Sequence, residues 1–133
     1  MKVQDVMSHN VICVEMDARL PDVKRMMEEQ GFHHLPVVEN DKLVGIISDR
    51  DLLRLISPFI DTAAEHARDL DTLNRAAHQI MTRQPITVSV ETDIQEAVNW
   101  MLKVDISCVP VVDAEQHVLG IVTWRDLVKH AKF

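Results

Sequence analysis

The feature that most constrains this chain is that it contains the same unit twice. Pro36-Val37-Val38 returns as Pro110-Val111-Val112, 74 positions later, and at that spacing Met7 matches Met81, Val14 matches Val88 and Met27 matches Met101. Gly45-Ile46-Ile47-Ser48-Asp49-Arg50-Asp51-Leu52 then returns as Gly120-Ile121-Val122-Thr123-Trp124-Arg125-Asp126-Leu127, now at a spacing of 75. One residue has been added between the two blocks. The polar turn around Glu115-Gln116 is where it should fall, because exposed turns tolerate insertion. A duplication of this kind sets the architecture before any local propensity is weighed.

Each copy reads in the order strand, helix, strand, strand, helix. Val11 to Val14 and Ile86 to Val90 are short, β-branched strand candidates. In the second copy Ile94, Ala97, Val98, Met101 and Leu102 fall on one helical face, and Thr92 with Gln95 three residues on has the form of a capping box. In the first copy Leu20, Val23 and Met27 mark the same face, and Gly31 stops the helix. Leu35 to Val38 and Leu43 to Ile47 read as two strands joined by Glu39-Asn40-Asp41-Lys42. A further helix starts near Ser48 and carries Leu52, Leu53, Leu55 and Ile56, with Pro58 ending it. Leu70, Leu73, Ala77 and Ile80 suggest a lead-in helix for the second copy. The expected fold class is α/β (α+β), two β-α-β-β-α repeats over residues 1–57 and 76–133 with a polar linker over 58–75. A unit of about 50 residues buries too little surface to stand alone. The two copies are therefore expected to pack sheet against sheet with a cleft between them.

The chain has 133 residues, 47% of them apolar, which is enough for a core. No apolar run approaches the roughly 20 residues that span a bilayer, so no membrane insertion is expected. The start turns polar at once and does not resemble a signal peptide. Cys13 and Cys108 are too few for a disulfide framework, which fits a reducing cytoplasm. A net charge of −7 with scattered basic residues disfavours nucleic acid, whose affinity rests on Lys and Arg replacing counterions. A small anionic ligand needs only two or three local cations.

The repeated phrase hydrophobic-Pro-Val-Val, an acidic turn, then Gly-Ile-hydrophobic-Ser/Thr-x-Arg-Asp-Leu resembles the CBS domain family. The likeness covers about residues 3–57 and 76–131. It implies a regulatory module with pseudo-twofold symmetry, helices outside, and two equivalent clefts that bind AMP, ADP, ATP, S-adenosylmethionine or related adenosyl compounds, often assembled as a homodimer. It also implies that each cleft mixes both repeats. One would combine Thr123, Arg125 and Asp126 with Val11, Ile12, His33 and His34. The other would combine Ser48, Arg50 and Asp51 with Pro85, Ile86, Ser107 and Cys108.

The residues themselves leave alternatives open. Asp51 and Asp126 have the acceptor oxygens to take both hydroxyls of a ribose. Yet Ser48-x-x-Asp51 and Thr123-x-x-Asp126 are also capping boxes, and spacing alone favours the cap; only the resemblance assigns ribose binding. Arg50 and Arg125 suit a phosphate through paired donors, or a surface salt bridge to a neighbour such as Asp49. His33 and His34 would contact phosphate or sugar and make their cleft the more basic, with affinity rising on mild acidification; alternatively one of them packs beneath the turn. Trp124 could stack on a base or face a dimer partner. His9, His66, His78, His117 and His130 are dispersed without ligand spacing, so no metal is expected. No nucleophile elbow, P-loop or dinucleotide fingerprint occurs, so catalysis and a required cofactor are not expected. With no effector domain in the sequence, regulation is expected to act on an unknown protein target in trans. The rival reading is a dimerising interaction scaffold with empty clefts.

Overall fold

The computed structural model describes residues 1–55 and 74–132. The first repeat runs β1 (Val14–Glu15), α1 (Leu20–Gln30), β2 (His34–Glu39), β3 (Lys42–Ser48) and α2 (Asp49–Leu55). Then come α3 (Ala77–Ile80), β4 (Thr82–Arg83), α4 (Ile94–Val104), β5 (Cys108–Val112), β6 (Val118–Thr123) and α5 (Trp124–His130). The protein is mixed α/β. One sheet has the order β1-β2-β3-β4, with β1 parallel to β2 and β4 antiparallel to β3; the other pairs β5 with β6 antiparallel.

The duplication persists at the level of single hydrogen-bonded pairs. Val14 lies opposite Val37 and Thr82 opposite Ile46 in the first sheet. Val88 bridges Val111 and Ser8 bridges Ile121 at the edges of the second. The chain divides into two compact units, one of Cys13–Glu39 and Val44–Arg83, the other of Met1–Ile12, Asn40–Leu43 and Gln84–Phe133. Each repeat thus incorporates the segment that leads into the other. In the first unit, backbone amides of Leu20, Ala77 and His78 donate to the carbonyls of Arg75 (3.0 Å), Ala18 (2.7 Å) and Met16 (3.0 Å). In the second, Ile94, Val3 and Gln4 donate to Met1 (3.1 Å), Thr92 (2.8 Å) and Val90 (3.1 Å), the same three bonds at equivalent positions.

Those segments are fixed by burial as well. Val3 and Val6 belong to the core that Val88, Ala97, Met101, Val109, Val111 and Val122 build. In the other unit Ala77, Ile80 and Met81 are buried along with Leu20, Val23, Met27, Leu35, Val37 and Ile47. The two matching glycines lie under the crossing segments. A Cβ on Gly45 would run into the Met81 side chain, and one on Gly120 would come within 2.6 Å of the Ser8 carbonyl oxygen. No larger residue lets the backbones approach so closely.

Local signals behave as the sequence suggests at several points. Gly31 ends α1 in the left-handed region at φ 68°. Asn40 and Asp41, at φ 51° and 65°, make the two-residue connection between β2 and β3, where positive φ at both positions matches the strand twist. Other expectations are corrected. Asp93, not Thr92, caps α4: its Oδ1 accepts from the Gln95 amide at 2.8 Å, while the Thr92 hydroxyl accepts from the Ser89 amide at 3.0 Å one turn earlier. Leu102 is 66% exposed and Leu53 is 76% exposed, so neither joins the buried stripe of its helix. The first strand shrinks to Val14–Glu15, and Val88 makes only a bridge. The lead-in helix spans Ala77–Ile80; Leu70, Leu73, Ile56 and the 58–73 part of the linker lie outside the described residues. Among the described residues no helix is long and apolar enough to cross a membrane.

Candidate functional site

The residues with the most chemistry gather where β3 runs into α2 and where β6 runs into α5. Both capping boxes form. At α5 the Asp126 amide donates to the Thr123 hydroxyl (3.3 Å), and the Thr123 amide (2.9 Å) and hydroxyl (3.1 Å) both donate to Asp126 Oδ2. At α2 the Asp51 amide donates to the Ser48 hydroxyl (3.1 Å) and the Ser48 amide to Asp51 Oδ2 (3.0 Å). One carboxylate oxygen of each aspartate serves the cap. The other, Oδ1, has no partner among the described residues, and both side chains are half-buried. Cap and ligand acceptor are therefore compatible functions of a single carboxylate.

The strand before each box closes its other side. The Asp49 amide donates to the His33 carbonyl at 2.9 Å, and the Trp124 amide donates to the equivalent Ser107 carbonyl at 3.2 Å. Cys108 sits opposite Thr123 in the register of β5 and β6. Burial pushes its thiol up to about 12, and the negative charge of Asp126 adds to the effect. Such a thiol is neutral and unreactive at ordinary pH. In the other unit the half-buried His34 is held below the usual imidazole value, first by burial and then by His33, while Asp49 and Asp51 oppose the shift. His33 is exposed and pairs through Nδ1 with Asp49 Oδ2 at 2.8 Å. Asp49 thus engages His33 rather than Arg50. Arg50 and Arg125 are exposed and form no ion pair among the described residues. Trp124 is 38% exposed.

The sites expected from sequence distribute as follows. Val11, Ile12, Thr123, Arg125 and Asp126 fall in one compact unit, and with them Pro85, Ile86, Ser107 and Cys108; His33, His34, Ser48, Arg50 and Asp51 fall in the other. Within each unit the structure brings together the pre-proline pair and the cap that follows it. The role of Asp49 as the partner of His33 was not read from sequence, since the two are separated by 16 residues and only the strand-to-helix crossing joins them.

Both copies of this strand, cap and helix arrangement match one known family, over residues 3–58 and 77–132. The chain belongs to the CBS domain family. An uncharacterized protein of Methanocaldococcus jannaschii is 33% identical over 131 residues, 96% of this chain and 46% of that protein, so this CBS pair spans about half the length of that relative. A CBS domain pair solved in complex with 5′-methylthioadenosine and S-adenosyl-L-methionine matches with a TM-score of 0.81 at 28% identity, covering 97% of this chain and 94% of that one. CBSX2, solved in complex with AMP, matches with a TM-score of 0.79 at 26% identity, over 96% and 93% of the two chains.

Proposed function

We propose that this CBS pair is a regulatory module that binds an adenosyl ligand, AMP, ADP, ATP or S-adenosylmethionine, and acts on a protein partner in trans. The observation that carries the reading is the Oδ1 of both Asp51 and Asp126, which has no partner among the described residues and lies beside a hydroxyl fixed by a cap. A carboxylate oxygen held half-buried accepts a ribose hydroxyl without a further ordering cost. Arg50 and Arg125, exposed and unpaired among the described residues, can turn their guanidinium forks toward phosphate. The adenosyl compounds bound by the two similar structures support the same ligand class. In one unit the candidate ligand contacts are Thr123, Arg125 and Asp126 with Val11, Ile12, Pro85, Ile86, Ser107 and Cys108. In the other unit they are Ser48, Arg50 and Asp51 with His33 and His34. Both cysteines are free, which suits a reducing cytoplasm.

Calorimetric titration of AMP, ADP, ATP and S-adenosylmethionine tests the reading, with 2′-deoxy-AMP as a control and with Asp126→Asn and Asp51→Asn variants. Asparagine keeps an oxygen for the cap but removes the charge. Saturable binding that each variant weakens by about tenfold or more, as expected for a charge-assisted bond, supports ribose recognition. Silence across the panel, in protein shown free of co-purified nucleotide, favours a scaffold that works through protein contacts alone.

A further inference from the structure

The histidines taken alone show no ligand spacing, but one of them converges with two carboxylates. Asp113, Glu115 and His117 alternate through the turn between β5 and β6, and one ligand atom from each lies within 4.8 Å of the other two. His117 Nδ1 is 3.0 Å from Asp113 Oδ2 and 3.6 Å from Glu115 Oε2. Three donors bound to one ion at about 2.0–2.2 Å with tetrahedral angles would stand roughly 3.4 Å apart. The two separations from the imidazole nitrogen bracket that value. We infer that this turn is a binding site for a borderline divalent transition ion of the zinc type, held by one imidazole nitrogen and two carboxylate oxygens with water completing the shell.

Three further observations support the assignment. The site lies at the one place where the second repeat is longer than the first. The equivalent turn, Glu39-Asn40-Asp41-Lys42, has no histidine and carries a lysine instead. The added residue thus coincides with a donor set that the other copy lacks, which predicts one ion per chain. Asp113 is also oriented beforehand: its Oδ1 accepts from the amides of Glu115 and His117, both at 2.9 Å, which aims Oδ2 at the imidazole. Partners of this kind orient metal ligands. Finally, neither carboxylate forms an ion pair with a Lys or Arg among the described residues. A mixed nitrogen and oxygen set suits zinc, nickel or cobalt over calcium or magnesium.

The full chain is titrated with Zn²⁺ by calorimetry and with Co²⁺ by visible absorption, with no nucleotide present. His117→Ala and Glu115→Gln carry the test because Asp113 also holds the turn together. The expected result is saturable binding at one ion per chain, weakened by about tenfold or more in both variants and unchanged in His9→Ala. Magnesium should not compete. Absence of saturable binding overturns the proposal, and so does binding that His117→Ala leaves intact, which would place the ion elsewhere. Because nucleotide is absent throughout, the outcome is independent of whether the protein binds adenosyl ligands.

Discussion

Cys108 and its counterpart His34 occupy matching positions but respond to the same kind of neighbourhood in opposite ways. Burial penalises whichever form is charged, so it raises the thiol and lowers the imidazole. For Cys108 the consequence for stability has a definite sign. Its proton is held up to about 12 in the fold against 9.0 in an unfolded chain. Below pH 9 both states keep the proton and this residue adds no pH dependence. Above it the unfolded state releases the proton while the fold retains it, so stability falls as pH rises toward 12. The slope approaches about 1.4 kcal/mol per pH unit. Urea unfolding at pH 8, 9 and 10 should show this decline in the wild type and a clearly shallower one in Cys108→Ala. Equal slopes would mean that the thiol is not the group responsible. The same burial should leave Cys108 inert to thiol reagents until the chain unfolds.

At the scale of elements, the helices that follow the two caps present matching apolar positions outward. Leu53 on α2 is 76% exposed, and its counterpart Val128 on α5 is 57% exposed. A repeated apolar position left exposed among the described residues is what an interface between copies would use. If these helices carry the homodimer, Leu53→Glu combined with Val128→Glu should convert a sedimenting dimer to a monomer. The circular dichroism spectrum should not change, since exposed substitutions usually shift stability within about 0.5 kcal/mol. A wild type that sediments as a monomer would remove the idea at once. The helix faces also show how much was legible beforehand. Periodicity placed α1, α4 and the β2–β3 hairpin correctly, because each buries one face for a local reason. It put Leu102 on the apolar face of α4, since periodicity reports which residues share a face and not how wide the buried stripe is. The Ser48–Asp51 and Thr123–Asp126 boxes were legible because their spacing is local. Thr92 misled because Asp93, one residue later, offers a better acceptor for the same amide. The convergence of Asp113, Glu115 and His117 was in plain view as alternate residues, but only the turn geometry brings their donor atoms together.

At the scale of the whole molecule, the repeat as a stretch of sequence and the compact unit as a packed body are different objects. Residues 1–12 belong with 84–133, and residues 76–83 belong with the first repeat. Nothing in hydrophobic periodicity reveals this, because a lead-in segment has the same pattern whichever core it enters. The exchange has an energetic consequence that can be measured. Val3 is fully buried and Val6 is 3% exposed in the core around Met101 and Val122. Returning both to water costs about 3–6 kcal/mol by the usual value for a buried valine. The backbone bonds from Val3, Gln4 and Ser8 to Thr92, Val90 and Ile121 would be lost as well. Against a total stability of about 5–15 kcal/mol for a domain, that loss is decisive. A polypeptide of residues 76–133 should therefore give the poorly dispersed amide spectrum of an unfolded chain. Residues 1–12 joined through a flexible linker to 84–133 should give a dispersed one, with slow hydrogen exchange at Val109, Val111 and Val122. In the full chain, deleting residues 1–8 should abolish protection at those three amides before it does so at Val37 and Ile47, which lie in the other unit. A well-dispersed spectrum from 76–133 alone would show that the borrowed segment is not needed, and the exchange would then be a matter of position without energetic weight.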